Sequence, residues 1–350
     1  MRTPDVSTAA GLAALEYLSV DRFLADVVGA GALQSALNLG LIDRLLQDAV
    51  VSVRSFAAQA KLDEDATGLL LGMLRANAVI EECPGGIRLS MEFRSACRYR
   101  ELMEAKLEFA AWVAPDFLQR FTTLLVDPSG FFEQAHIFKL FSYDRCLEVT
   151  TENLAATRRW MRFTTALTHC EAGVCRHMHD FSSSRHLLDV GGNSGEFALQ
   201  LCKWLPDLKA TVLDLPVVCE IGATHVATEP EASRIEFHKT SGANQVFPSG
   251  FDTVCFKSML HDWPDEQMVG FLRRAYDALD VGGTLLIFER SKIETGPSPM
   301  PYSLIPILLF FRAYRTSEDY LRALERIGFR DLHCDRVTLD VPFMMIRARK

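Results

Sequence analysis

No stretch of this chain is apolar for long enough to cross a bilayer. Its most apolar late run, SLIPILLFF, falls far short of the ~20 residues a membrane helix needs. The N-terminal stretch MRTPDVSTAAGLAALEYL lacks a basic start followed by a long apolar run, so no secretory leader is read there. The nine cysteines include no C-x-x-C pair and their number is odd. That argues against a disulfide framework and predicts reduced thiols in a cytoplasmic protein. Positive charge is short as well: 45 acidic residues face 37 basic ones for a net charge of −8. A general nucleic-acid surface would be basic, so no nucleic-acid partner and no membrane partner is expected. Internal repeats and low-complexity tracts are missing too. What remains is an ordinary globular composition spread over 350 residues, enough for one large domain and a smaller one.

Two textures divide the chain. From about residue 20 to 98 the pattern is helical. FLADVVGAGALQSALNLGLIDRLL, from Phe23 to Leu46, carries apolar residues at helical spacing interrupted by Gly29, Gly31 and Gly40. SVRSFAAQAKLDEDATGLLLGMLRANAVI predicts two helices around a short acidic turn, and EECPGGIRLS a small hairpin, together a winged helix-turn-helix outline. Residues from about 100 to 180 are mostly helical, with a looser section at VDPSGFFEQA. From His186 onward strands alternate with helices. Strands are expected at His186–Val190, Ala210–Leu213, Thr253–Lys257 and Thr284–Glu289, with a closing pair near Leu332–Val337 and Phe343–Arg347. MVGFLRRAYDALDVGG reads as a helix with a glycine stop. The boundaries expected are 1–105, 106–180 and 181–350.

HLLDVGGNSGEFALQLCKWLPDLKATVLDLP, from His186 to Pro216, is a βαβ unit with a glycine-rich turn. The dinucleotide fingerprint wants G-x-G-x-x-G at a helix start, where the dipole holds a pyrophosphate. Here the glycines are Gly191, Gly192 and Gly195, with Asn193 and Glu196 at the other two fingerprint positions. Asp189 just before the turn and Glu196 just after it would repel phosphate and suit a cation. S-adenosylmethionine brings an ammonium and a sulfonium. Asp214, at the end of the second strand, stands where an acid accepts hydrogen bonds from ribose hydroxyls.

CFKSMLHDWPDEQ follows the strand Thr253–Lys257. Asp262 is expected to cap the next helix, with Pro264 in its first turn and Asp265 and Glu266 complementing its dipole. None of that needs His261. Open α/β sheets bind ligands beyond the carboxyl ends of their strands, which is where His261 falls. Glu289 ends the next strand and faces the same crevice, so His261 and Glu289 read as a base and its orienting carboxylate.

On these segments the sequence resembles the small-molecule O-methyltransferase family that includes plant caffeate and flavonoid enzymes and bacterial antibiotic-tailoring enzymes. LLDVGGNSGEFA matches the family's cofactor loop, TVLDLPVV its ribose-binding acid and FKSMLHDWPDE its catalytic-base segment. The resemblance implies an α/β fold: a class I methyltransferase Rossmann-like sheet behind an N-terminal, mostly helical winged-helix dimerisation domain. It implies S-adenosyl-L-methionine as cofactor, held by Asp189, Gly191, Gly192 and Gly195, by Asp214 and Leu215, and by Lys257 and Ser258. It implies His261 as general base with Glu289 as its partner, acting on a hydroxyl of a small aromatic or polyketide-like acceptor. It also implies a homodimer through the N-terminal domain, with the acceptor pocket between domains. Phe163 and Leu167 would stand near cofactor or acceptor, and Trp160, Met161 and Phe310 are further acceptor candidates, all of which read equally well as helix core.

Three departures from the family pattern stand out. Asn193 replaces a loop glycine. TSGANQVF offers no acid where the family places one near adenine. Tyr314 stands before Arg315 and Thr316, where the family carries a second catalytic glutamate, so one carboxylate rather than two is expected to support His261. That keeps C- or N-methylation, or chemistry without methyl transfer, as an alternative. A ligand-sensing winged-helix regulator is the distant alternative, opposed by the lack of a basic stripe on EDATGLLLGMLRA. HCEAGVCRHMHD has no standard ligand spacing, and on a helix His177 and His179 point to different sides, so no metal site is expected.

Overall fold

The computed structural model describes residues 11, 14–140, 143–242, 245–293 and 300–350. Residues 243 and 244 of the TSGANQVF segment lie outside the described residues, as does most of the N-terminal stretch read for a leader. Two compact units emerge, one drawn from Glu16–Gln119 and Gly296–Leu308, the other chiefly from Arg120–Thr295 and Leu309–Lys350.

The first unit is built from α1 (Val27–Asn38), α2 (Leu41–Gln47), α3 (Val53–Ala60), α4 (Glu64–Ala76) and the hairpin β1 (Ile80–Cys83) and β2 (Gly86–Leu89). The apolar run from Phe23 to Leu46 is not one helix. Gly40 takes φ 72° between α1 and α2, a left-handed step open to glycine that turns the chain there. Asp26, Ser52 and Asp63 each accept a backbone N–H in the first turn of α1, α3 and α4, so these helices start where their caps stand. The long helix α5 (Arg100–Val126) follows, and Arg120 breaks its helical dihedrals at φ −121°. The expected boundary at residue 105 falls inside this helix, and the division between units falls at its break.

The second unit is a seven-stranded sheet in the order β5-β4-β3-β6-β7-β9-β8. Its parts in chain order are α6 (Thr151–Met178), β3 (His186–Val190), α7 (Glu196–Trp204), β4 (Lys209–Asp214), α8 (Pro216–Val226), β5 (Ile235–Lys239), β6 (Phe251–Lys257), α9 (Asp265–Ala278), β7 (Leu279–Arg290), α10 (Ser317–Ile327), β8 (Arg330–Thr338) and β9 (Pro342–Arg349). β3 to β7 are parallel, and β9 inserts antiparallel between β7 and β8. The chain leaves β3 in one direction through β4 and β5, then returns to β6 on its other side. That reversal opens the crevice at the carboxyl ends of β3 and β6. Leu188, Val190, Val254, Phe256, Leu285 and Ile287 are buried in one cluster with Leu272 of α9 and Leu324 of α10. Strands covered on both faces read as near-continuous apolar runs, which is why these were visible in the sequence.

β3 has the expected bounds, and the closing pair is antiparallel. β5 was not expected: IEFHK is short and mixed, an edge strand with little apolar signal. The glycine stop of α9 is a correction. That helix ends at Ala278, and Gly282 and Gly283 lie inside β7, Gly282 at φ 78°. YSLIPILLFFRAY forms a 3₁₀ turn, Tyr302–Leu304, and one helical turn, Ile305–Leu308, with Pro306 near its start, where a missing N–H is tolerated.

Candidate active site

The turn after β3 holds its residues in left-handed conformations, Gly191 at φ 68° and Asn193 at φ 57°. Asparagine tolerates that region better than other side chains, and here its Oδ1 accepts the Ser194 N–H at 2.8 Å. A Cβ on Gly191 would come within 2.4 Å of Met259 Cγ, so glycine is required there on two counts. α6 meets the turn through hydroxyls: Thr164 Oγ1 lies 3.3 Å from Asn193 Oδ1, and Thr165 donates to Ser194 Oγ at 2.8 Å.

Asp214 closes the turn from the side. Its Oδ2 accepts the Asn193 N–H at 2.8 Å and its Oδ1 the Leu215 N–H at 2.7 Å. Burial pushes its carboxyl up to about 6 against those two amides. Each oxygen keeps a lone pair for a hydroxyl donor. Asp189 is 1 % exposed, and its Oδ2 has no hydrogen-bond partner. Burial pushes Asp189 up to about 7, with Lys257 opposing. A buried acid short of donors beside a diol-accepting acid fits a ligand with positive charge and a ribose, as S-adenosylmethionine has.

Glu196 does not take part. Its carboxylate is 4 % exposed and bridges His169 Nδ1 at 2.8 Å and His225 Nε2 at 2.6 Å, with Gln200 Nε2 at 2.8 Å. The reading of two acids flanking the turn is therefore corrected to one, because the second is engaged by histidines from α6 and α8.

At the next strand end, Ser258 sits at φ 51°, its N–H held by the Phe288 carbonyl at 2.9 Å. A 3₁₀ turn, Leu260–Asp262, then presents His261. His261 Nδ1 lies 2.9 Å from Glu289 Oε1, and Nε2 lies 3.4 Å from Asp262 Oδ1. Burial works against the imidazolium, yet Glu289 and Asp262 carry the His261 pKa above the ordinary histidine value. Burial raises Glu289, but His261 and Arg290 outweigh it and hold the carboxyl below its ordinary value. Arg315 braces the turn, donating to the Leu260 carbonyl at 2.8 Å and to that of Trp263. Asp262 is not the helix cap expected of it. α9 begins at Asp265, and Asp262 Oδ2 accepts the Tyr143 hydroxyl at 2.7 Å. His261 therefore has two carboxylates within reach, where one was expected. Tyr314 supplies a ring wall 5.0 Å from the imidazole, tilted by 50°.

Lys257 ends β6 with its ammonium inside the protein, donating to Glu171 Oε2 at 2.5 Å and Thr168 Oγ1 at 3.1 Å. Arg290, one residue beyond Glu289, donates to Glu171 Oε1 at 3.1 Å and Ser258 Oγ at 3.2 Å. Glu171, Arg290 and Tyr143 were all missed. Glu171 lay in HCEAGVCRHMHD, where the histidines and cysteines drew attention, and Arg290 carried the signal of adjoining Glu289. Of the acceptor candidates, Phe310 stands 6.1 Å from the imidazole centroid. Trp160, Met161, Phe163 and Leu167 are buried along α6. Among the described residues no cluster suits a metal ion, and no helix is long and apolar enough to cross a membrane.

A sequence-family model described as the O-methyltransferase domain matches residues 127–330. The 3-hydroxy-5-methyl-1-naphthoate 3-O-methyltransferase of Streptomyces sahachiroi is 32 % identical over 158 residues, 45 % of each chain. The L-tyrosine C(3)-methyltransferase of Streptomyces lavendulae is 30 % identical over 125 residues, 36 % of this chain and 34 % of that protein. The chain thus spans less than half the length of these relatives. In fold it is similar to the solved structure of the mitomycin 7-O-methyltransferase MmcR. The TM-score is 0.69 at 22 % identity, over 92 % of this chain and 94 % of that one.

Proposed function

The chain belongs to the O-methyltransferase domain family, and from that premise we propose that it moves a methyl group from S-adenosylmethionine to a hydroxyl oxygen of a small aromatic acceptor. The observation that carries the reading is the 2.9 Å contact of His261 Nδ1 with Glu289 Oε1 at the ends of adjacent strands. When bound, the cofactor supplies an electrophilic methyl group. Asp214 would receive its ribose hydroxyls, and Asp189 would face its positive charge across the glycine turn, with Gly191, Gly192, Gly195 and Leu215 supplying the backbone around it.

A phenol has a pKa of about 10, so ionising it at neutral pH costs about 4 kcal/mol. A positioned base contributes ~10²–10⁴-fold, the size needed to offset that cost. Glu289 accepts from Nδ1–H and fixes the tautomer, which leaves Nε2 to take the acceptor's proton. The acceptor proton ends on the imidazole, whose charge Glu289 and Asp262 stabilise. Phe310 and Tyr314 give the imidazole an aromatic surround suited to a planar acceptor.

Release of S-adenosylhomocysteine from labelled cofactor, across a panel of phenols, naphthols and hydroxyquinones, tests the reading. His261→Gln should lose ~10²–10⁴-fold in turnover and keep its affinity for S-adenosylhomocysteine. Unchanged turnover would reject the base. Methylation at carbon is the second reading, favoured by the tyrosine C-methylating relative. Mass and NMR analysis of the labelled product separates the two. A homodimer through the first unit is proposed on its exposed apolar side chains, Val28, Leu69 and Met91 among them, and light scattering decides it.

A further inference from the structure

Glu171 is a carboxylate, 1 % exposed, on a helix whose buried side chains are otherwise apolar apart from Thr157. Such a group is costly unless cations meet it. Two do. Oε2 faces Lys257 Nζ at 2.5 Å and Oε1 faces Arg290 Nη2 at 3.1 Å. Lys257 ends β6 and Arg290 ends β7, so one carboxylate ties together the two strand ends that carry the base and its partner.

Arg290 reaches the base by two routes. Its backbone N–H donates to Glu289 Oε1 at 2.9 Å, the same oxygen that meets His261 Nδ1. Its guanidinium donates to Ser258 at the left-handed step three residues before His261. Phe343 lies under the guanidinium at 4.6 Å, and Asp340 stands 3.9 Å away. The charged and titratable groups around His261 are Asp262 on its own turn, Glu289 and Arg290 on β7, Tyr314 before α10 and, through Asp262, Tyr143. Around Glu171 they are Lys257, Arg290 and, on its own helix, Cys175. The two cations at the strand ends thus meet buried acids, Glu171 between them, Asp189 near Lys257 and Asp340 near Arg290, and of the two Arg290 acts on the imidazole.

We infer that Glu171 is a positioning residue of the base: it shares its negative charge between Lys257 and Arg290, and it holds Arg290 where that residue fixes both Ser258 and Glu289. Uncompensated, the two cations would disfavour a proton on His261 and weaken it as an acceptor of one. The catalytic meaning rests on the reading of His261 as base, but the electrostatic link can be measured without any acceptor.

The full chain labelled with [ε1-13C]histidine is titrated by NMR, the His261 signal being assigned by its loss in His261→Gln. Glu171→Gln keeps the shape and removes the charge, and the His261 midpoint should fall by about half a pH unit or more. Lys257→Met, which removes one of the two cations and leaves Glu171 to Arg290 alone, should raise it. The double variant should return it toward the wild-type value, and Glu171→Asp should leave it there. A merely structural role gives no such opposed signs. Equal midpoints in folded variants overturn the proposal. Should Glu171→Gln fail to fold, Lys257→Met and the charge-balanced double variant carry the test: no rise in the former, or a rise that the latter does not cancel, overturns it too. Failure of the base reading is separate, because it shows as undiminished turnover in His261→Gln and leaves these midpoints untouched.

Discussion

Asp262 Oδ1 lies 3.4 Å from His261 Nε2, the ring nitrogen that Glu289 leaves open. The other oxygen of Asp262 accepts the Tyr143 hydroxyl, and Tyr143 stacks on Trp263 at 5.7 Å and 13°. Burial raises the Asp262 carboxyl, with His261 and Tyr143 opposing. Tyr143→Phe keeps the stack and removes one hydrogen bond to a charged group, an effect of about 1.5 kcal/mol or more. Turnover should fall about tenfold or more, and the acid limb that follows Asp262 protonation should move to higher pH. S-adenosylhomocysteine affinity should stay as it was. The pH profile of kcat/KM on an accepted phenol checks it, and an unmoved limb would detach Tyr143 from His261.

Glu289→Gln should be more damaging. Glu289 is fully buried, and its Oε1 serves both His261 Nδ1 and the Arg290 N–H. An amide that turns its NH₂ toward Nδ1 shifts the imidazole proton to Nε2, the nitrogen that the proposed mechanism needs free for the acceptor proton. A loss of about a hundredfold or more in kcat is expected with little change in cofactor affinity. Single-turnover rates with labelled cofactor measure it. A loss below about threefold would mean that Glu289 merely fills space.

The candidate site was legible where its residues follow strand ends. Asp189, Asp214, His261 and Glu289 all stand at or just beyond the carboxyl end of a buried strand, and buried parallel strands announce themselves as apolar runs. Tyr143 and Glu171 were not legible. Each reaches the site from a helical or loop segment far off in sequence, 119 residues for Tyr143 to Asp262 and 86 for Glu171 to Lys257. No periodicity encodes such a meeting. Glu196 misled for a related reason: its place beside the turn was correct, but its direction depends on two histidines that only the packing of α6 and α8 brings to it.

Asn193 offers a test of the turn itself. With φ at 57°, a β-branched residue there should cost about 1–2 kcal/mol, whereas glycine should be tolerated. Asn193→Val is therefore expected to lower Tm by several degrees and weaken S-adenosylhomocysteine binding, because the strained N–H is the one Asp214 accepts. Asn193→Gly should match the wild type within about twofold in affinity, though it gives up the side-chain bond to Ser194. Differential scanning calorimetry and titration calorimetry on both variants decide the matter. Equal affinities would show that the turn does not shape the cofactor site.

His169 and Glu196 make a pH prediction of definite sign. The Glu196 hydrogen bond raises the His169 pKa above 6.5, so that contribution is complete below 6.5 and is lost as pH rises through the folded value. Glu196 is held down at about 2: burial pushes it up, but hydrogen bonds from His169, His225 and Gln200 outweigh that. Its contribution is complete above the ordinary value of 4.5 and fades as pH falls toward 2. Both are present together between about 4.5 and 6.5. Glu196 opens α7 directly after the cofactor turn, and its partners lie on α6 and α8, so the bridge pins the helix start from two sides. The Tm difference between wild type and Glu196→Gln should be greatest in that window and shrink on either side. Scanning calorimetry from about pH 3 to about pH 8 measures it. A difference that keeps growing above pH 7 would mean that His169 binds Glu196 in its neutral form, and that their contact is not an ion pair.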